Sequence, residues 1–467
     1  MADKQSTKPP SGTRDFLPND IRRREHVVGV IRGVYERHGF EPLETPAFEN
    51  IETLVGKYGE EGNKLIFKIL KRGEHEHTGE ADLALRYDLT VPLARVVAQY
   101  QNEIPKFFKR YQIQPVWRAD RPARGRFREF YQCDIDSIGS TSPVVEADIL
   151  GAVADVLRAL GFKDFAIRVN HRLVLARLLD AAGVGADRQA DALVALDKMD
   201  KIGIEGVERE FLGRGIDAAA ASRCLEFFNV PVGQRPQAAL DRLAAILGPG
   251  DSSLSNLRDI VALAESNAAG AHLRVDPSLA RGLSYYTGAI MEIAVEGIGS
   301  LGGGGRYDGL VGMFLGRDVP ACGFSLGLER IIVVMTERSM FPADVAGSGV
   351  DVMVTIWSPD AEGDALALAD ELRRAGLRVD VYPEADKLAR QFKYAASRSV
   401  PFVALVGDEE RARGEVAIKD MRSGDQRAVA RAEAAAFIAH ATGKQPQRTL
   451  RTQNYRLGRE PEPEPEP

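Results

Sequence analysis

Between residues 171 and about 267 the chain turns Ala-, Leu- and Asp-rich at helical spacing, with few strand formers. Strand-like runs stand on both sides: residues 107–118, 127–136 and 166–170 before it, and a Gly-rich stretch over 279–329 after it. A sheet drawing on both sides must therefore be assembled from two separated pieces of chain, with a helical insertion between them. The chain is also too long, at 467 residues, for one compact core, so two or three domains are expected. On this reading residues 1–170 and 268–340 form one divided unit and 171–267 its insertion. After a Pro-, Ala- and Gly-containing linker over 341–349, strand-like 352–357, 379–382 and 402–407 alternate with helical runs. That pattern predicts a small α/β domain over 350–445. The tail, 446–467, closes on Glu460 to Pro467, an alternation that breaks helices, cannot pair in a sheet and repels itself; its end is expected to be disordered.

Within the first piece, Ile21, Val27, Val28, Ile31, Val34 and Tyr35 recur at helical spacing and Gly39 supplies a stop, predicting an amphipathic helix. It feeds residues 40–46, where Pro42 and Pro46 suit an edge strand and forbid a central one. A polar stretch to Glu80 follows, then a short strand over 83–87 and a helix over 91–100 with Pro92 in its first turn. Ser142 and Pro143 open another helix, with Val145, Ile149, Val153, Val156 and Leu160 on one face and Gly161 at its end.

Composition excludes several classes. The net charge of -6 argues against wholesale coating of nucleic acid, yet Lys106, Lys109, Arg110, Arg118, Arg121, Arg124, Arg126 and Arg128 are opposed within their segment only by Asp120. An anionic partner could dock there. Cys133, Cys224 and Cys322 form no C-x-x-C pair, which speaks against a disulfide framework or a thiolate zinc site and for a reducing, cytoplasmic setting. The first ten residues lack an apolar core, and nowhere do eighteen apolar residues run together, so neither a secretory signal nor a membrane span is expected. His75 and His77, flanked by Glu74 and Glu76, are explained more simply by a polar loop than by a metal site, and no metal is predicted.

The strands 107–118 and 127–136 are joined by an Arg-, Pro- and Gly-bearing loop longer than the tight two-residue turns. Period two puts Arg128, Phe130, Gln132, Asp134 and Asp136 on one face, either a solvated edge or the floor of a polar site. Arg118, at the end of the partner strand, reaches the same floor. A second cluster is Arg281-Gly282-Leu283-Ser284-Tyr285-Tyr286-Thr287-Gly288, which sets a cation and two phenols beside permissive glycines, the equipment of a small-molecule pocket. Gly297, Gly299 and Gly302 satisfy the dinucleotide pattern G-x-G-x-x-G, but more glycines follow where a helix is needed. A tight turn between strands is the plainer reading, and with no G-K-[ST] there is no Walker loop.

Taken together, these segments resemble histidyl-tRNA synthetases over nearly the whole chain. Arg118-Ala119-Asp120, the basic loop and Arg126 resemble motif 2 of class II aminoacyl-tRNA synthetases; Gly302 to Gly309 resembles the second histidine-specific segment; Gly323 to Arg330 resembles motif 3; Gly39 to Pro46 resembles motif 1. The resemblance implies an α+β fold: an antiparallel sheet flanked by helices, the helical insertion, and a C-terminal module like the family's anticodon-binding domain. It implies activation of L-histidine by ATP with Mg²⁺ and transfer to the 3′ end of histidine tRNA, in a homodimer away from any membrane. By the same resemblance Arg118, Arg281 and Arg330 are the catalytic cations around the α-phosphate. Asp120 and Arg126 join Arg118 and Arg330 in holding ATP. Asp88, Thr90 and Gln132 hold the α-amino group, and Leu89, Arg118 and Arg281 belong to the same histidine site. Asp136 and Tyr286 read the imidazole, and Tyr285 lines the same wall.

Two departures are visible. Leu85 to Pro92 looks more like the eukaryotic form of the family, and the loop reads Arg121-Pro122-Ala123-Arg124-Gly125-Arg126 where many bacterial members have Gln at the third place. Ala123 cannot make the side-chain contact to the extra 5′ guanosine that the Gln makes, while Arg121, Arg124 and Arg126 still offer phosphate contacts for the acceptor end. A catalytically silent paralogue, such as a histidine- or tRNA-sensing regulatory subunit, is the alternative; it would be expected to lose the arginines or the C-terminal module.

Overall fold

A computed structural model of the chain describes residues 6–73, 77–228, 234–280 and 285–443. Two compact units emerge, Met1–Phe341 and Pro342–Pro467. The strands are, in chain order, β1 Glu41–Pro42, β2 Phe48–Asn50, β3 Lys68–Leu70, β4 Ala81–Leu85, β5 Phe108–Trp117, β6 Glu129–Ile138, β7 Phe165–His171, β8 Leu273–Val275, β9 Ala289–Val295, β10 Gly299–Arg306, β11 Ala321–Gly327, β12 Val352–Val354, β13 Val379–Val381, β14 Phe402–Leu405, β15 Glu415–Asp420 and β16 Gln426–Ala430.

The first unit is organised on an eight-stranded sheet ordered β1-β5-β6-β11-β10-β9-β7-β8. Its six middle strands pair antiparallel, and only the outer pairs β1 with β5 and β7 with β8 are parallel. The sheet is thus drawn from both sides of the 171–267 segment, which supplies the helices Arg172–Ala182, Gln189–Leu196, Met199–Gly213, Ala218–Phe228, Pro236–Leu247 and Ser252–Ala264. Their apolar faces, including Leu175, Leu178, Phe211, Leu243 and Leu257, join the same hydrophobic core as Val153, Ile167 and Ile293. The insertion therefore packs as part of the unit rather than as a free-standing body.

Alternation in β6 explains why the sheet has two unlike faces. Cys133 and Ile135 point into the large core, against the helices Pro18–Arg37, Val144–Ala159 and Leu328–Glu337, and are fully buried. Each such side chain contributes roughly 1.5–3 kcal/mol by leaving water. The intervening polar residues face the opposite side, where a smaller core of Leu54, Tyr58, Leu93, Val97, Tyr307 and Leu310 supports the rim of a cavity.

Three details refine the expectations above. The polar stretch before Glu80 contains β2 and β3, which flank β4 in a separate three-stranded sheet. Strands of three residues are too short to show alternation. The long loop between β5 and β6 is pinched at its tip, where Ala123 and Arg126 exchange backbone hydrogen bonds of 3.0 and 2.9 Å around Arg124 and Gly125, with Gly125 at φ +68°. The glycines at Gly297 and Gly299, with φ +75° and +90°, turn β9 into β10 and continue as a strand, so the dinucleotide reading falls.

The second unit carries a five-stranded sheet ordered β13-β12-β14-β15-β16, parallel through β13, β12 and β14 and antiparallel beyond. Helices Glu362–Arg374 and Leu388–Ser397 are the two alternating helical runs; β15, β16 and the helix Ala434–Ala441 extend the alternation past residue 407. The buried Gln391 amide holds the end of β12 by accepting from Ile356 N at 3.0 Å and donating to Ile356 O at 2.8 Å. The Glu-Pro tail lies outside the described residues.

Candidate active site

The floor of the cavity follows from register. On β6, Gln132, Asp134 and Asp136 stand opposite Gln114, Gln112 and Arg110 of β5 on one side. On the other side they stand opposite Gly327, Ser325 and Gly323 of β11. Directly opposed residues share a face. The floor is therefore polar toward β5 and nearly free of side chains toward β11, which leaves room for a ligand. Gly323 has no alternative: a Cβ there would lie 1.9 Å from Asp136 Oδ1. The solvated-edge reading of this face is excluded, because β6 is an interior strand and Asp136 is only 2% exposed. Arg128 does not join the floor. It precedes β6 and turns toward the chain's beginning, with Nε on Asp120 O at 3.1 Å and Nη1 on Ser11 O at 3.2 Å.

At the deep end, Arg110 is fully buried and forms an ion pair with Asp136, Nη2 to Oδ2 2.8 Å, while also donating to Gln112 Oε1 and to Leu89 O. Tyr307 donates its phenol to Asp136 Oδ1. Burial raises the Asp136 pKa against the pull of Arg110. Beside it, Asp134 is raised to about 7 by burial, with Arg110 opposing and the Asp136 charge adding to the rise. Its Oδ1 has no hydrogen-bond partner among the described residues, and the same is true of Gln132 Oε1 and of Asp136 Oδ2, which Arg110 meets as an ion pair alone. Gln132 Nε2 donates to Ser325 Oγ at 2.7 Å, and the Ser325 hydroxyl in turn stabilises the Asp134 carboxylate.

The wall opposite begins at the helix Thr90–Gln99. Asp88 Oδ1 accepts from Val91 N at 3.1 Å, capping the helix, and from Tyr58 Oη at 2.9 Å. Burial raises the Asp88 pKa despite these bonds. Thr90, the first helical residue, hydrogen-bonds the Tyr285 phenol. Tyr285 and Tyr286 meet edge to face at 5.1 Å, and Tyr285 meets Tyr307 in the same way at 6.0 Å. Of the residues expected at this part of the histidine site, Asp88, Thr90 and Gln132 line the cavity. Leu89 does not: its side chain is fully buried in the protein, and only its carbonyl, bound to Arg110, touches the network.

Cations gather at the other end. Arg118 donates Nε to Tyr87 O at 3.0 Å and lies over the rings of Tyr87 and Phe130, at 4.4 and 5.1 Å. The planar guanidinium is thereby fixed between aromatic faces. Arg330, in the first turn of the helix Leu328–Glu337, donates to Ser300 O at the cavity rim. Its neighbour Glu329 is committed to the frame, accepting from Arg24 Nη1 at 2.9 Å and from Tyr131 N at 3.0 Å. Asp120 and Arg126 both line the cavity but are locked on each other through two hydrogen bonds of 2.9 and 3.0 Å. Arg121 and Arg124 are exposed on the loop outside the cavity lining, with Arg124 paired to Glu337. Arg281 lies outside the described residues.

The whole encloses about 380 Å³, from Asp136 and Tyr307 at one end to Arg126 and Arg330 at the other. Among the described residues, no group of three or more His, Cys, Asp or Glu side chains is arranged to hold a metal ion. Sequence reasoning put Asp134 on the polar face by period two and missed Arg110, Ser325 and Tyr307 as members of the site. Arg110 and Ser325 need the cross-strand register, which only the fold supplies, and Tyr307, just past β10, reaches Asp136 from a strand that does not pair with β6.

Comparison with known proteins gives a consistent picture. A family model described as Histidyl-tRNA synthetase matches residues 12–331, and one described as Anticodon binding domain matches 351–440. A histidine–tRNA ligase of Porphyromonas gingivalis is 42% identical over 451 residues, covering 92% of this chain and 98% of its own length. The crystal structure of histidyl-tRNA synthetase from Nostoc superposes with a TM-score of 0.79 at 30% identity, over 94% of this chain and 100% of its own. A Bacillus halodurans structure titled an ATP phosphoribosyltransferase regulatory subunit/histidyl-tRNA synthetase superposes at 0.70 with 20% identity, which shows a shared fold alone.

Proposed function

From the premise that this chain belongs to the histidyl-tRNA synthetase family, we propose that the cavity between Asp136 and Arg330 seats L-histidine and ATP end to end. The reaction is that of a histidine–tRNA ligase. The carboxylate of histidine attacks the α-phosphorus of ATP and pyrophosphate leaves; the 3′-terminal ribose hydroxyl of the tRNA then attacks the acyl carbon and AMP leaves. Charge accumulates on the phosphoryl oxygens in the first step, so fixed guanidiniums beside that phosphorus are what the chemistry needs.

Arg118 is suited to that task because Tyr87 and Phe130 hold it before any substrate arrives. Arg281, by its sequence motif, is proposed beside the same phosphate, and Arg330 toward the rest of the nucleotide. Opening of the Asp120–Arg126 pair would release Arg126 to the phosphates and Asp120 to the base. Mg²⁺ enters with the nucleotide on this reading, since Asp120 and Glu329 are both already held by arginines. At the deep end Asp136, Tyr285 and Tyr286 form the ring subsite, and Asp88, Thr90 and Gln132 the amino-group subsite. The C-terminal unit, matched by the anticodon-binding model, is proposed to hold the tRNA's far end. The exposed Arg121 and Arg124 are candidates for its acceptor end.

We propose a homodimer joined along the β1 edge that carries the motif 1 segment, and a cytoplasmic setting, supported by three buried, unpaired cysteines. Among the described residues no helix is long and apolar enough to cross a membrane.

One observation carries the reading: a single cavity holds buried carboxylates at one end and an aromatically clamped arginine at the other. Histidine-dependent exchange of labelled pyrophosphate into ATP tests it. Exchange is expected in the wild type and its loss in Arg118→Ala and Arg281→Ala, each with an unchanged circular-dichroism spectrum. Histidine binding without exchange in the wild type would favour a regulatory role and overturn the assignment.

A further inference from the structure

The segment before the first helix is tied to both walls of the cavity's cationic end. Arg128 N donates to Gly12 O at 2.8 Å and Arg128 Nη1 to Ser11 O at 3.2 Å, while Arg128 Nε reaches Asp120 O at 3.1 Å. Arg118 N donates to Arg128 O at 2.9 Å, so both feet of the β5–β6 loop and residues 11–12 are knotted together. Gly12 is required there: at φ +83° a Cβ would lie 2.7 Å from Arg128 Cγ and 3.0 Å from Pro122 Cγ. Beside this knot five side chains stack in alternation. Arg14 lies 3.9 Å from the Phe127 ring and 4.7 Å from that of Phe16, and Arg24 lies 4.2 Å from Phe16 and 4.5 Å from Tyr131. The ladder ends at Glu329, which accepts from Arg24 and from Tyr131 N. Phe127 and Glu329 line the cavity, whereas Arg14, Phe16 and Arg24 stand outside its lining. The buried Nε of Arg14 has no hydrogen-bond partner among the described residues, and Glu329, Arg24 and Asp20 act on its charge from a distance. Its hold is therefore on the two rings, and a guanidinium against a ring face fixes the plane of that ring.

We propose that residues 11–16 are a clasp that sets Phe127 in the nucleotide half of the cavity, with Arg14 as a positioning residue for ATP. The inference rests on the histidine-activating reading above and adds to it a residue that touches neither substrate. Phe127 adjoins Arg126, the residue proposed to leave Asp120 for the nucleotide. At the loop tip Ala123 and Arg126 bond each other, whereas Phe127 and Arg128 are held from the N-terminal side, so residues 121–126 can move while the ring at their foot stays in place. Without the Arg14 cation the ring gains freedom, and ordering it again at each binding event weakens ATP alone.

The test measures KM for ATP and for L-histidine in pyrophosphate exchange by the full chain, because KM does not depend on how much of a preparation is folded. Arg14→Ala is expected to raise the KM for ATP roughly 3- to 30-fold, with the KM for histidine within about twofold of wild type. Arg14→Met, which keeps a long apolar stem and loses the cation, should show the same selective rise, and it carries the comparison if the alanine variant folds poorly. Phe127→Leu should also raise the KM for ATP. Arg14→Ala placed on that background should then add less than about twofold, since the ring through which it acts is gone. A wild-type KM for ATP in Arg14→Met, equal rises for ATP and histidine, or effects of Arg14→Ala and Phe127→Leu that multiply would each overturn the proposal. A merely structural Arg14 would lower the thermal midpoint and the active fraction and leave both KM values in place, which likewise counts against it. A wild type without exchange would strike the histidine-activating reading itself, a failure visible before any variant is made.

Discussion

Arg110 illustrates how a residue without a direct role in chemistry can shape a site. Fully buried and charged, it is tolerable only because Asp136 stands 2.8 Å away. Removing that partner leaves an uncompensated charge, so Asp136→Ala should destabilise the first unit by about 3–5 kcal/mol, and adding Arg110→Met should restore much of the loss. Chemical denaturation of the two variants checks both statements. Asp134 carries the opposite liability. Its folded pKa, pushed up to about 7, lies above the unfolded carboxylate range. The stability it contributes is therefore fully present below about pH 4 and is lost as pH rises through about 7. Relative to wild type without ligand, Asp134→Asn should gain at least about 1 kcal/mol between pH 4 and pH 8. A flat difference across that range would refute the assignment of charge. The residues at the cationic end of the cavity, Arg118, Asp120, Arg126 and Arg330, stand in motifs legible along the chain. Arg110 could not be read in this way, because nothing in a linear pattern says which strand will lie beside β6; Tyr307 stands in a legible motif, but its bond to Asp136 exists only in the fold.

At the scale of elements, alternation and punctuation were legible wherever a segment was long. The ten-residue strands β5 and β6, the helix Val144–Ala159 and the edge position of β1 all follow from spacing and from proline. Short pieces escaped: β2 and β3 have three residues each, less than two periods of any pattern. The junction between β7 and the first inserted helix shows how an element can record its surroundings. His171 ends the strand and caps the helix, its Nδ1 accepting from Leu173 N at 3.1 Å. Burial, with Arg306 nearby, lowers its pKa to about 4. A cap that works only when neutral gives stability that is present above about pH 6.5 and lost as pH falls through about 4. Wild type should therefore fall behind His171→Asn, which keeps a capping acceptor, as pH is lowered across that window. Equal acid sensitivity of the two proteins, followed by urea midpoints from pH 7 to 4, would remove His171 from the account.

The whole molecule comprises two units, each with its own core: one gathers the sheet and inserted helices, and the other gathers Val352, Leu368, Phe402 and Ile438. Separate cores predict separable tasks. A chain ending at Phe341 should retain histidine-dependent pyrophosphate exchange within a few-fold and lose at least about tenfold in charging of tRNA; parallel losses in both assays would show that the units do not divide the work. Read alone, the amino-acid order determined the family, the helical break between two sheet-forming pieces, the later α/β domain and the segments that bring Arg118, Arg126 and Arg330 to the cavity, because each is carried by residues close together along the chain. Tertiary structure decided that the polar face of β6 is an interior floor, that Leu89 serves through its carbonyl, and that Arg110 and Tyr307 meet on Asp136. Those outcomes depend on which strands become neighbours and how little solvent reaches them, and burial is a property of the assembled sheet that no local pattern contains.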